Sequence, residues 1–120
     1  MTQQSDGTRM NNVNPGPKLG QGTIIVTLED EEFAMRPTLN AMQTISQRYG
    51  GLQAALEKIT SLDVGVIMDV LVTGLGPRYQ GVKQRQELAE KVFLAGITDD
   101  TGGVAERCQM YVIMLMRGGR

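Results

Sequence analysis

The hydrophobic period of this chain changes at Arg36-Pro37-Thr38. Upstream of that step, apolar residues alternate with a period of two. Downstream, they recur at helical spacing. Proline donates no ladder hydrogen bond and holds the preceding residue extended. Thr38 is well suited to cap a helix N-terminus. Such a chain makes its strands first and its helices afterwards. No strand–helix alternation calls for a parallel sheet, so the fold class is α+β and mainly helical.

The strand portion is short. Residues 23–28 read as one strand, in which Ile24, Val26 and Leu28 alternate with Ile25 and Thr27. Residues 32–36 read as a second, with Phe33 and Met35 on one face. Glu29, Asp30 and Glu31 lie between them, which predicts a β-hairpin. The turn has no glycine, and Asp30 is the best candidate for a left-handed position. A lone hairpin is marginal in water, so this one must pack on helices.

About five short helices follow. Residues 39–49 place Leu39, Met42, Ile45 and Tyr49 on one face, with Ala41 beside them, and end at Gly50-Gly51. Residues 52–61 carry Leu52, Ala55, Leu56 and Ile59 at i, i+3, i+4 and i+7. A third helix, capped by Asp63 and running to residue 75, turns Val64, Ile67, Met68, Leu71, Val72 and Leu75 to one face. Val66 and Val70 lie on its flank, so it is apolar nearly all round and belongs at the centre. Residues 82–95 should turn Leu88, Ala89, Val92 and Phe93 inward. Residues 104–116 have an inner stripe of Val104, Cys108, Tyr111, Val112 and Leu115. The single small domain spans residues 22–117, with residues 118–120 as a frayed end. Residues 1–21 hold three glycines, two of the four prolines and no hydrophobic period. They read as a flexible arm.

Composition narrows the function. The 120 residues include no histidine and one cysteine. The usual general base at neutral pH is therefore missing, and no cysteine-based zinc site can form. Cys108 lies on an inner stripe without an activating base, which predicts an inert core thiol. The acids from Glu29 to Glu32 lack calcium-loop spacing and read as a solvated turn. Asp99-Asp100 read as a helix N-cap. Gly74 to Gly81 match neither a P-loop nor a dinucleotide fingerprint. The formal net charge is −1 and the pI about 5.4, which disfavours nucleic acid. The longest apolar run, residues 110–116, is too short to span a bilayer. The expectation is a non-enzymatic binding or assembly protein with no cofactor and no metal.

Methionine is the unusual residue, with eight in the chain. Met110, Met114 and Met116 cluster with Ile113 outside the inner stripe of the last helix. Flexible thioethers suit loosely accommodated partners. Met110, Ile113, Met114, Met116, Val66 and Val70 are therefore the candidate partner-binding residues. The alternative is a last helix buried on most sides.

The order of these pieces resembles a known family. Ile24-Ile25-Val26-Thr27-Leu28 is followed by Phe33-Ala34-Met35-Arg36-Pro37-Thr38-Leu39, then Tyr49-Gly50-Gly51-Leu52, Leu62-Asp63-Val64 and Gly74-Leu75-Gly76. This pattern, over roughly residues 23–117, is similar to the phage tail assembly chaperones of gene transfer agents and related prophages, described in older accounts as tail tube proteins. At the turn, the family tends to carry Asp-Gly where this chain has Glu29-Asp30. The resemblance implies a protein of the bacterial host cytoplasm that binds the tape measure protein and helps recruit tail tube subunits. Self-association is a further option. The alternative within the same setting is a structural component retained in the tail or connector. A DNA-binding regulator using Arg78, Lys83 and Arg85 is a third reading, opposed by the acidic pI, and a metabolic enzyme a distant fourth.

Overall fold

A computed structural model describes residues 22–99 and 102–120; the arm assigned to residues 1–21, like Asp100, lies outside them. Two strands, β1 (Ile24–Leu28) and β2 (Glu31–Met35), form an antiparallel hairpin. Five helices follow: α1 (Leu39–Tyr49), α2 (Leu52–Thr60), α3 (Val64–Leu75), α4 (Val82–Ala95) and α5 (Val104–Met116). A single 3-10 turn, Pro77–Tyr79, lies between α3 and α4. The predicted α+β class and the order of elements are those observed.

Register in the hairpin follows from the alternation. Ile24 pairs with Met35, Val26 with Phe33 and Leu28 with Glu31. Ile24, Val26, Leu28, Phe33 and Met35 are all buried on one face. A slip of one residue would turn that set to solvent. The turn is tighter than expected. Glu31 already belongs to β2, which leaves only Glu29 and Asp30 as loop residues, with φ of 49° and 72°. Both are left-handed, so this is a type I′ turn, whose twist matches that of the strands. The sequence reading put only Asp30 in that region.

Helix boundaries reflect caps. The Thr38 hydroxyl accepts from the Ala41 amide at 3.0 Å, and the Asp63 carboxylate accepts from the Val66 amide at 3.3 Å. Gly50, at φ 79°, ends α1 in the left-handed conformation that glycine adopts without strain. At α5 the expected cap was wrong. Gly103 holds the N-cap position, and the Glu106 carboxylate accepts the Gly103 amide at 2.9 Å. Asp99 lies four residues upstream of that position, where its carbonyl accepts the Gly102 amide at 3.1 Å and closes the loop instead.

The core is centred on α3, which packs against β2, α1, α2, α5 and the 3-10 turn. Surrounded in this way, it buries its flank as well as its face. Val66 and Val70 are 5% and 0% exposed. Their assignment as partner-binding residues is therefore overturned: they are core. Leu39 and Val64, expected inside, are exposed. Each is the first residue of its helix, just after the cap, and the buried residues begin two positions later, at Ala41 and Val66.

The hairpin meets α3 at Gly74. A Cβ there would lie 2.8 Å from Met35 Cε, 3.1 Å from Met35 Cβ and 3.1 Å from Tyr111 Cζ. The Arg36 amide donates to the Gly74 carbonyl at 3.0 Å. The Tyr111 hydroxyl of α5 donates to the Arg36 carbonyl at 2.6 Å. Phe33 packs edge-to-face on Tyr79 of the 3-10 turn, with centroids 5.9 Å apart.

Two outcomes test this packing. Gly74→Ala should lower stability by about 1–3 kcal/mol, since a methyl group overfills a closed site despite its better helix propensity. Asp30→Gly should raise stability by about 0.5–1 kcal/mol by relieving a left-handed non-glycine residue. Urea titrations followed by circular dichroism measure both.

Candidate functional site

Polar groups come first, because chemistry would need them. The only charged side chain of α3 is Asp69. The Tyr49 hydroxyl of α1 donates to its Oδ2, Arg85 of α4 reaches Oδ1 at 2.6 Å, and Arg48 reaches Oδ2 at 3.3 Å. Burial works against the Asp69 charge, but the hydrogen bonds from Tyr49 and Arg85 and the field of both arginines outweigh it. Its carboxyl is held below the ordinary 3.8. Burial, then the Asp69 carboxylate, pushes the Tyr49 hydroxyl up to about 12. A carboxylate with both oxygens occupied by donors is a tie between three helices and a poor proton acceptor. The sequence reading did not pick out this cluster. One acid in an otherwise apolar helix was its only trace.

Cys108 is fully buried, its thiol donating to the Ile67 carbonyl at 3.6 Å. Burial pushes the thiol up to about 12. It is therefore a thiol and not a thiolate at neutral pH, which makes it a poor nucleophile. Among the described residues, no three His, Cys, Asp or Glu side chains gather to hold a metal ion. No helix among them is long and apolar enough to cross a membrane.

Two apolar surfaces remain. The first is on α5. Val104, Cys108, Tyr111, Val112 and Leu115 face the core, as the periodicity predicted. Met110, Ile113 and Met116 are 38–43% exposed along the outer side. Met114 is half-buried against the core and contributes less than the sequence suggested. A cleft of about 290 Å³ opens at the C-terminal end of α5, lined by Pro37, Thr38, Leu39, Met42, Leu115 and Gly118-Gly119.

The second surface was missed. Phe93, expected inside, is 82% exposed, and Leu94 and Val82 are also exposed. The reason lies in how α4 is held. Leu88 and Val92 are its buried residues. On one side of them Arg85 reaches Asp69, and on the other Lys91 pairs with Glu31 of β2 at 3.0 Å. These two tethers bracket the Leu88–Val92 face and leave Phe93 and Leu94 outside. Phe93 stands between two hollows. One, of about 420 Å³, is lined by Val64, Met68, Ala89, Val92 and Ile97. The other, of about 450 Å³, is lined by Gln86, Ala89, Glu90 and Leu94. A sequence signal existed: in the run Val92-Phe93-Leu94, consecutive residues of one helix cannot all face inward.

No family model, no curated protein and no solved structure matches this chain. The geometry offers binding surfaces and a tied-down polar cluster.

The Asp69 cluster gives a pH signature. A carboxyl lowered on folding stabilises the fold fully above its unfolded value, and that contribution is lost as pH falls through the folded value. The window therefore lies below the ordinary 3.8. Asp69→Asn should cost about 2 kcal/mol at neutral pH. It should also flatten the acid limb of the stability curve, as read by thermal melts between neutral and acid pH.

Proposed function

We propose that this protein is a tail assembly chaperone of a phage-like particle. It binds the tape measure protein in the bacterial cytoplasm and helps recruit tail tube subunits. The observation that carries this reading is the methionine-rich stripe of α5, where Met110, Ile113 and Met116 stay accessible. The resemblance of residues 23–117 to that chaperone family supplies the partner.

The physics of the stripe suits the role. A long helical protein awaiting assembly exposes apolar helix faces that would otherwise aggregate. Recognition of such a helix needs a shallow apolar surface that tolerates changing side chains. Unbranched, polarizable methionines adapt at little cost. Arg107 donates to the Met110 sulfur at 3.7 Å, which sets a cation at the border of the stripe. That border suits an amphipathic helix with acidic flanks.

Co-expression with a tape measure protein tests the reading. The tape measure protein should remain soluble and co-purify with the wild-type chain. The double variant Met110→Glu/Ile113→Glu changes two exposed residues and should weaken capture by about tenfold or more. Failure of the wild-type chain to keep the tape measure protein soluble removes the reading. Stoichiometric amounts in purified particles, measured by mass spectrometry, would point to a retained tail component instead.

A further inference from the structure

The α4 surface has a spacing of its own. Val82, Gln86, Ala89 and Phe93 follow one another at steps of four, three and four residues, so they form one seam along the helix. Val82 is 89% exposed and Phe93 82% exposed, at opposite ends of the seam. The small residue Ala89 sits between them beside the hollow bordered by Gln86, Glu90 and Leu94. Lys83 and Glu90, one heptad apart, flank the seam on the same side, and neither has an ion-pair partner among the described residues.

This pattern is complementary to itself when reversed. Lay a second α4 antiparallel on the first, with a two-fold axis passing between Glu87 and Leu88. Phe93 then packs on Val82 of the other copy, and Gln86 on its Ala89, and each contact occurs twice. In an antiparallel pair, residues flanking the seam on one side face their equivalents across it. Lys83 of each copy therefore comes within reach of Glu90 of the other, again twice. A bulky aromatic faces a small aliphatic, a cation faces an anion, and the helix dipoles oppose. A parallel pairing would put Lys83 and Glu90 on the opposite side of the seam from their equivalents, where these charges cannot meet. We infer that a second copy of this chain covers the α4 seam, as an antiparallel, two-fold symmetric helix pair.

The scale of the contact sets its strength. The helix has 14 residues and is therefore about 21 Å long. A single helix pair of that length is smaller than a standard permanent interface, so the dimer forms reversibly. Gln86 in the seam costs some affinity but favours one register, as polar seam residues do in coiled coils.

Sedimentation velocity on the full chain, from micromolar to millimolar concentration, tests the inference. The wild type should show a monomer–dimer equilibrium. Phe93→Ser should weaken it about a hundredfold, because two aromatic anchors are lost per dimer. K83E alone and E90K alone should each weaken it about tenfold. The double variant K83E/E90K should recover the wild-type affinity. An equimolar mixture of the two single variants should form a heterodimer, since both cross-pairs are then of opposite sign. All these residues are solvated in the monomer, so circular dichroism and Tm should stay close to wild type. A chain that remains monomeric throughout overturns the inference. So does a dimer unmoved by Phe93→Ser, or charge variants that do not recover on mixing.

Discussion

One close contact organises this protein: the hairpin rests on α3 where Gly74 has no side chain. Met35 and the Tyr111 ring occupy the space that a Cβ would need. Two hydrogen bonds through Arg36 then join the end of β2 to α3 and α5. A two-stranded sheet has little stability of its own. Here it gains a floor of helices because three elements converge on one backbone position. Pro37 follows immediately, so the chain leaves the sheet at the point where it is pinned. The period change in the sequence thus falls where the sheet is joined to the helices.

This explains what the sequence made legible. Alternation in β1 and in Phe33-Ala34-Met35, the caps Thr38 and Asp63, and the stripe Val104-Cys108-Tyr111-Val112-Leu115 are local patterns that local physics obeys. They predicted each element to within a residue or two. What escaped depends on distant partners. The all-round apolar pattern put α3 at the centre, but Val66 and Val70 became core because five elements surround it, and which neighbours cover that flank is not written in α3 itself. Phe93 turned outward because Arg85 and Lys91 are held by Asp69 and Glu31, residues 16 and 60 positions away. In each case the hydrophobic character was read correctly and its direction was decided elsewhere. The turn shows the same limit on a smaller scale: the sequence indicated a hairpin, but strand register placed Glu29 as well as Asp30 in the left-handed region.

The polar cluster around Asp69 has a second consequence. Exposed ion pairs contribute little, but a half-buried carboxylate shared by a tyrosine and two arginines is geometrically demanding. It therefore fixes the rotation of α4 about its own axis. Turning Phe93 inward would also carry Leu88 and Val92, the buried residues of α4, toward solvent. A charged tie that agrees with the buried face of its helix is a specificity device as much as a stabilising one.

The two apolar surfaces share no lining residue, so occupation of one leaves the other available. For the proposed function that separation would matter, because the partner it names is long and repetitive. If α4 pairs two copies, each dimer carries two α5 stripes in a fixed relation. Two weak contacts on one extended helical chain then act together. The second forms at the high effective concentration set by the first, and the pair holds more tightly than either alone without any new contact. Under the proposed chaperone function, weak, adaptable sites are what a temporary cover requires, because each would have to release when assembly proceeds. On that reading, pairing would supply retention and the shallow methionine surface release.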